Sequence, residues 1–287
     1  MTTGDELQPE TPSSTSIAVR LLGAGERIVI VDAKRRRYLV TLAEDGQFHT
    51  HAGFFAHADL IGREEGTTVL SSGGAKYTAI RPTLAEFVLK MPRGAQVIYP
   101  KDLGAILFMA DIYPGVRVLE SGVGSGALSM TLLRAGASVI GYELREEFAR
   151  VALRNVASWV GPEATARYQV EVRDCYDGID EQGLDRIVLD LPEPWQVVQH
   201  ATTALRTGGI LLAYLPTITQ AAELRRVLAD NGFRLAETME VLHRSWHIEG
   251  MSVRPDHRMV AHTGFLTAAR YLPDSVAPLS NAEFRGK

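Results

Sequence analysis

The chain has 287 residues, 46% of them hydrophobic and 22% charged, with a formal net charge of −4. That supply of apolar side chains builds one large domain or two ordinary ones and excludes wholesale disorder. No run approaches the roughly 18 uncharged apolar residues that span a bilayer. The opening stretch MTTGDELQPETPSSTS lacks the cationic and apolar regions of a signal peptide, so a soluble, cytoplasmic protein with no membrane partner is expected. One cysteine, Cys175, cannot form an internal disulfide, and eight histidines without metal-ligand spacing predict no metal site. The negative total charge does not advertise nucleic-acid binding, so any RNA contact has to use local patches.

Residues 1–16 are rich in Pro, Ser, Thr and acids and predict a disordered tail. From residue 17 to 80, short apolar runs punctuated by turn residues predict a small β-rich domain. Its strands are Arg27 to Val31, Tyr38 to Leu42, Thr67 to Leu70 and Lys76 to Ile80, with breaks at Asp45-Gly46 and Gly73-Gly74. Residues 81–99 read as a linker helix, Thr83 to Met91, and a Pro92-Arg93-Gly94 connection. The larger domain covers residues 100–272, and residues 273–287 read as a loose tail.

Within the larger domain, predicted strands alternate with helices: Val116 to Glu120, Ala137 to Glu143, Gln169 to Arg173, Arg186 to Leu191 and Ile210 to Leu215. Phe148, Val151, Ala152, Val156 and Trp159 share one helix face, and Gly161 stands at its C-terminal stop. Thr217 and Gln220 form a capping box before Ile218, Ala221, Leu224 and Leu228, and that helix ends at Asn231-Gly232. Strand and helix in alternation predict a doubly wound, mostly parallel α/β sheet. Two late extended runs, Phe233 to Leu242 and Thr263 to Ala269, are placed to close it as an antiparallel pair.

The sharpest local signal is Leu119-Glu120-Ser121-Gly122-Val123-Gly124-Ser125-Gly126-Ala127, a strand running into a glycine turn that opens a helix. The glycines let the backbone bend tightly and let a ligand lie against bare main chain. Spacing alone also fits a dinucleotide fingerprint, with Ala127 in the third glycine's place and Glu143 as the ribose-binding acid. Glu120 immediately before the turn would repel a pyrophosphate and suit an ammonium group, which favours S-adenosylmethionine over NAD. Glu143, at the end of the second strand, has two oxygens for a pair of ribose hydroxyls. Asp174, at the end of the third, reads either as a contact for the adenine amino group or as a turn-capping aspartate.

The fourth strand ends in Asp190-Leu191-Pro192-Glu193-Pro194-Trp195, where a carboxylate, two prolines and a ring make a rigid polar wall. It is similar to the D/N-P-P-aromatic loop of adenine amino-methyltransferases, except that Leu191 and Glu193 interrupt the motif, one before each proline. Lys34, Arg35, Arg36 and Arg37 read either as a solvated hairpin face or as a phosphate contact. His243, Arg244, Trp246, His247, Arg254, His257 and Arg258 form a second cluster, suited equally to an RNA cleft or a subunit interface.

Tyr99-Pro100-Lys101-Asp102, Glu120 through Gly126, Asp190 through Trp195 and Ala213 through Gln220, in that order, resemble the tRNA (adenine-58-N1)-methyltransferases of the single-subunit bacterial and archaeal type. The likeness runs from about residue 20 to 272. It implies a seven-stranded, Rossmann-like class I methyltransferase domain, S-adenosylmethionine as methyl donor, tRNA as partner and a homotetramer. It also implies Asp190 as the catalytic carboxylate with Tyr99 and Tyr214 near the target base. For cofactor binding it implicates Leu119, Glu120, Ser121, Gly122, Gly124, Gly126, Glu143, Phe148, Asp174, Cys175 and Asp190. Two other readings stand beside it: a methyltransferase acting on a small molecule or protein carboxylate, and a noncatalytic RNA-binding subunit.

Overall fold

Alternating apolar residues between tight turns fold the first unit, up to Thr83, into antiparallel sheets. The computed structural model describes residues 20–94 and 96–273; the tails expected at 1–16 and 273–287 lie outside these residues, apart from Pro273. Strands β1 (Arg27–Asp32), β2 (Arg37–Thr41), β5 (Thr68–Leu70) and β6 (Lys76–Ile80) form a sheet in the order β2-β1-β6-β5. Ile28, Ile30, Tyr77 and Ala79 point from it into a core shared with Leu22, Leu42, Phe55 and Leu60. A further hairpin, β3 (Gln47–Thr50) with β4 (Gly53–Ala56), was not expected, because each strand is only four residues long. Its Phe48 and Phe55 rings, 5.4 Å apart, tie it to the same core.

The basic run forms the tip between β1 and β2. Asp32 Oδ1 accepts the backbone N–H groups of Lys34 and Arg36, both at 2.9 Å, and Oδ2 lies 2.6 Å from Arg36 Nε. All four cations are exposed, and Asp32 partly neutralises Arg36.

The second unit begins with α1 (Leu84–Lys90) and α2 (Pro100–Met109). There follow β7 (Arg117–Ser121), α3 (Ala127–Arg134), β8 (Ser138–Glu143), α4 (Glu146–Thr165), β9 (Tyr168–Val172) and β10 (Leu184–Leu189). The chain continues through α5 (Val198–Ala204), β11 (Leu205–Leu215), α6 (Ile218–Asp230), β12 (Phe233–Glu240), β13 (Trp246–Glu249), β14 (Ser252–Pro255) and β15 (Phe265–Tyr271). Seven strands form one sheet in the order β12-β15-β11-β10-β7-β8-β9, with β15 antiparallel to both its neighbours. The two late runs do close the sheet, as β12 and β15.

β7 sits between β8 and β10, and the chain leaves it toward β8 before returning on the other side. This is the switch point, and the crevice beyond the strands' carboxyl ends is where such sheets hold ligands. Gly161 adopts φ 78° and breaks α4 where the sequence predicts its stop, after which Pro162 opens one more turn. Thr217 accepts the N–H of Gln220 as the N-cap of α6; Ala221, Leu224 and Leu228 are buried, whereas Ile218 in the first turn is 55% exposed and leaves the predicted stripe. β13 and β14 form a hairpin outside the main sheet, with Trp246, Ile248, Met251 and Val253 exposed. Among the described residues, no helix is long and apolar enough to cross a membrane, and no group of three or more His, Cys, Asp or Glu could hold a metal ion.

Candidate active site

Four strand ends converge at the switch point. After Ser121, Gly122 takes φ 86°, a value open to glycine but strained for other residues. A Cβ there would stand 2.9 Å from the carbonyl carbon of Asp190 and closer still to its oxygen, so the turn passes flush against the end of β10. The Asp190 N–H donates to Ser121 O at 2.9 Å and locks the two ends together. Gly126 lies against Ala152 and Val156 of α4, which seats the start of α3 on that helix.

Glu143, buried at the end of β8, accepts the Gly124 N–H at 2.9 Å through Oε2 and the Arg145 N–H at 3.1 Å through Oε1. The carboxylate thus holds the glycine turn open on the crevice side. Phe148 lies under the Arg145 guanidinium, 3.7 Å from its ring centre, and against Gly94. Asp174, after β9, caps a single helical turn by accepting the Tyr176 N–H at 2.9 Å. Its neighbour Cys175 is buried, and burial pushes the thiol up to about 11, with the Ser121 hydroxyl as a hydrogen-bond partner. Leu119 is fully buried, which leaves only its backbone to meet a ligand.

Glu120 lies beneath the turn. Its side chain is completely buried behind the turn rather than presented before it. Ser129 Oγ donates to Oε2 at 2.7 Å and meets the Tyr168 hydroxyl at 2.9 Å, while Oε1 has no partner among the described residues. Burial, with Asp190 and Glu143 nearby, pushes this carboxyl up to about 8. Burial in this place favours the protonated acid over the carboxylate. What remains is a buried acid beneath the turn that a nearby cation would ionise.

On the other side of Asp190 opens a cleft of about 650 Å³. Tyr99, Asp190, Tyr214, Pro216, His262 and Thr263 are among its lining residues. Burial and the Glu143 charge raise the Asp190 carboxyl to about 7. The loop after it is pinned: Gln220 Nε2 donates to Pro192 O at 2.9 Å, the Glu193 N–H donates to the Tyr176 hydroxyl at 3.1 Å, and Pro194 is buried. Tyr99 is the N-cap of α2, and the Tyr214 hydroxyl donates to Thr263 O at 2.6 Å. Asp190 thus separates a glycine-lined crevice from a cleft with two tyrosines.

Sequence reasoning missed Ser129 and Tyr168 beneath Glu120, and the whole segment 259–263 that forms one cleft wall. It also passed over Lys101 and Asp102, although it quoted them beside Tyr99. Their burial as a charged pair is a tertiary fact with no local signature.

Residues 77–254 match the family model described as tRNA methyltransferase complex GCD14 subunit, and residues 21–69 match the TrmI-like N-terminal model. The chain belongs to this methyltransferase family. Among its curated relatives, the tRNA (adenine(58)-N(1))-methyltransferase TrmI of Thermus thermophilus is 38% identical over 246 residues, 85% of this chain and 96% of that protein. The tRNA (adenine(57)-N(1)/adenine(58)-N(1))-methyltransferase TrmI of Methanocaldococcus jannaschii is 34% identical, over 89% of this chain and 97% of its own. Among solved structures, a SAM-dependent O-methyltransferase from Thermotoga maritima superposes with a TM-score of 0.83 at 33% identity, covering 88% of this chain and 94% of that one. The tRNA (m1A58) methyltransferase TrmI from Aquifex aeolicus superposes with a TM-score of 0.78 at 29% identity, covering 88% and 99%. The expected class I methyltransferase fold and family membership both hold for this GCD14-type chain.

The residues at the crevice fit S-adenosylmethionine on their own chemistry. Among the described residues, two buried oxygens, Glu120 Oε1 and Ser125 Oγ, have no partner, and at Gly124 only the Gly122 carbonyl oxygen, 3.9 Å away, comes within 4 Å of an added Cβ. Bare backbone, acceptor oxygens and acids suit a cationic amino-acid and ribose ligand.

Proposed function

We propose that this protein transfers the methyl group of S-adenosylmethionine to N1 of adenine 58 in the T-loop of tRNA. The observation that carries the reading is Asp190, a carboxyl set between the glycine-lined crevice and the two-tyrosine cleft. The curated TrmI relatives support adenine 58 as the target. An intact glycine turn and Asp190 argue against a noncatalytic RNA-binding subunit.

When bound, the cofactor supplies an electrophilic methyl on a positively charged sulfur. Glu143 would take the ribose hydroxyls, the turn from Leu119 to Gly126 would present its backbone to the amino-acid part, and Asp174 with Cys175 would border the adenine. Phe148, packed under Arg145 and against Gly94, would stand at the same rim. Adenine N1 has its own lone pair, so the protein's task is positioning more than proton removal. Tyr99 and Tyr214 receive the extruded base against their rings, each stack contributing roughly 1–3 kcal/mol. Because the Tyr214 hydroxyl is committed to Thr263 O, this residue acts through its ring. Asp190 accepts a hydrogen bond from the exocyclic amine and stabilises the positive charge that methylation leaves on the base, an interaction that strengthens toward the transition state.

The exposed apolar hairpin β13–β14 supports a homotetramer, and the expected cytoplasmic setting fits a tRNA substrate. Mass spectrometry of nucleosides from a tRNA transcript incubated with protein and cofactor tests the reading: 1-methyladenosine at position 58 is expected, and an unmodified transcript refutes it. The Thermotoga neighbour, a SAM-dependent O-methyltransferase, favours a second reading, transfer to oxygen, which a methylated hydroxyl in the same digest would establish.

A further inference from the structure

A buried ionic network joins the two tyrosines of the cleft. Lys101 Nζ, in the first turn of α2, donates to Asp102 Oδ1 at 2.8 Å, to Thr263 Oγ1 at 2.5 Å and to Val241 O at 2.6 Å. Thr263 Oγ1 in turn donates to Asp102 Oδ2 at 2.6 Å. The side chains of Lys101 and Asp102 are 5% and 0% exposed. The network thus clamps together the start of α2, the chain just after β12 and the chain just before β15.

Stability does not explain such an arrangement. A lysine in the first turn faces the positive end of the helix dipole, and burying an ion pair costs about as much desolvation as its attraction returns. A buried polar network does fix geometry, because every member must be satisfied at once. This one has both tyrosines at its ends. Tyr99 is the residue immediately before α2, and its carbonyl accepts the Asp102 N–H at 2.9 Å. Thr263 carries the carbonyl that accepts the Tyr214 hydroxyl. The next residue, Gly264, lies flat against that ring, since a Cβ there would meet the Tyr214 ring atoms at 2.5 Å. Tyr214 is therefore held at its hydroxyl by Thr263 and along its ring by Gly264.

We infer that Lys101, Asp102 and Thr263 are positioning residues that set the spacing of Tyr99 and Tyr214, and so the gap that receives the target adenine. The inference rests on the proposed tRNA reading and adds residues to it that never touch the base. Its central prediction is a coupling: the hydroxyl bond to Thr263 O is the main link from the network to Tyr214, with Gly264 steadying the ring.

Thr263→Val removes the hydroxyl that receives from Lys101 and donates to Asp102, while keeping the shape; Thr263→Ser keeps the hydroxyl. Single-turnover methylation of a tRNA transcript and calorimetric cofactor binding are measured for both, in the parental and Tyr214→Phe backgrounds. The expected result is a methylation rate about tenfold lower for Thr263→Val, cofactor affinity within twofold of parental, and recovery to within threefold in Thr263→Ser. In the Tyr214→Phe background, where the tether is already cut, Thr263→Val should cost less than threefold. A parental rate in Thr263→Val would overturn the inference, as would a Ser variant as slow as the Val variant or an undiminished tenfold loss alongside Tyr214→Phe. Parallel loss of cofactor affinity would assign the network to general packing and also overturn it. A parental protein that leaves the transcript unmodified would overturn the functional reading itself, and the inference with it.

Discussion

Gly122→Ala puts a methyl group where the glycine turn touches the end of β10. The added Cβ would lie 2.9 Å from the Asp190 carbonyl carbon, against an ordinary carbon–carbon separation of about 3.5–4.0 Å. One side must retreat by about 1 Å. Gly122 also sits at φ 86°, where an alanine costs on the order of 1–2 kcal/mol. The displacement stretches the hydrogen bond from the Asp190 N–H to Ser121 O, worth about 1 kcal/mol. Together these destabilise the catalytic unit by about 2–3 kcal/mol, or roughly 4–12 °C in Tm for a unit of this size. The larger effect falls on chemistry. A shift of about 1 Å at Asp190 separates the carboxyl from the base that we propose it orients, and misplacement on that scale costs about 100-fold in rate. Differential scanning calorimetry and single-turnover methylation of a tRNA transcript give the two numbers. A variant that melts with the parental protein and methylates within twofold of it would refute the claim that the turn and the Asp190 loop are in rigid contact.

Asp190→Asn keeps the size and an acceptor oxygen but loses the charge, and should lower the methylation rate roughly 30- to 1000-fold while the cofactor and tRNA dissociation constants move much less. Because the free Asp190 carboxyl ionises near pH 7, parental kcat/KM should climb through that pH to a plateau, an ascending limb that Asn lacks; a parental profile flat from pH 6 to 8 would contradict this. Glu120→Gln should weaken the cofactor in calorimetry. It should also change how stability depends on pH: folded Glu120 keeps its proton to about pH 8, whereas the unfolded chain loses it near 4.5. The parental protein therefore loses stability as pH rises across that window, by up to about 1.4 kcal/mol per pH unit from this group, and the Gln variant should lose less; identical slopes in thermal melts at pH 5.5 and 8 would count against it. Changing Lys34, Arg35, Arg36 and Arg37 together to Ser should lower the salt slope of tRNA binding, by less than four full charges because contacts within the protein already engage part of the run, while cofactor affinity stays constant; an unchanged slope would make the run a solvated hairpin tip.

The parts of this protein that were legible in its sequence are those whose signals are local. β7 and the turn after it announce themselves because strand, glycine spacing and helix follow within one short stretch, and β8 and β10 show as apolar runs ending in a carboxylate. Gly161 and the Thr217 cap are likewise local backbone chemistry, and both stand where the sequence puts them. The hairpin β3–β4 was hidden because its four-residue strands carry too few alternations to register a period of two. Ile218 fitted the apolar period of α6 yet lies in the first turn, exposed, since periodicity states which face a residue takes and not how far the covering layer extends.

The site divides along the same line. Glu120 was legible as a position but not as a charge state: the carboxyl's ionisation is set by the complete burial of its side chain and by Asp190 and Glu143, which arrive from other strands. Lys101 and Asp102 carry the strongest version of this argument. As adjacent residues of opposite charge at a helix start, they carry no local mark of burial, and the helix dipole even disfavours the lysine there. Only when the chain returns after β12 and before β15, bringing the Val241 carbonyl and Thr263, does the pair acquire enough partners to be buried at all. Their placement beside Tyr99 in the sequence, and their connection to Tyr214 through Thr263 in space, make one short motif control both aromatic walls of the cleft.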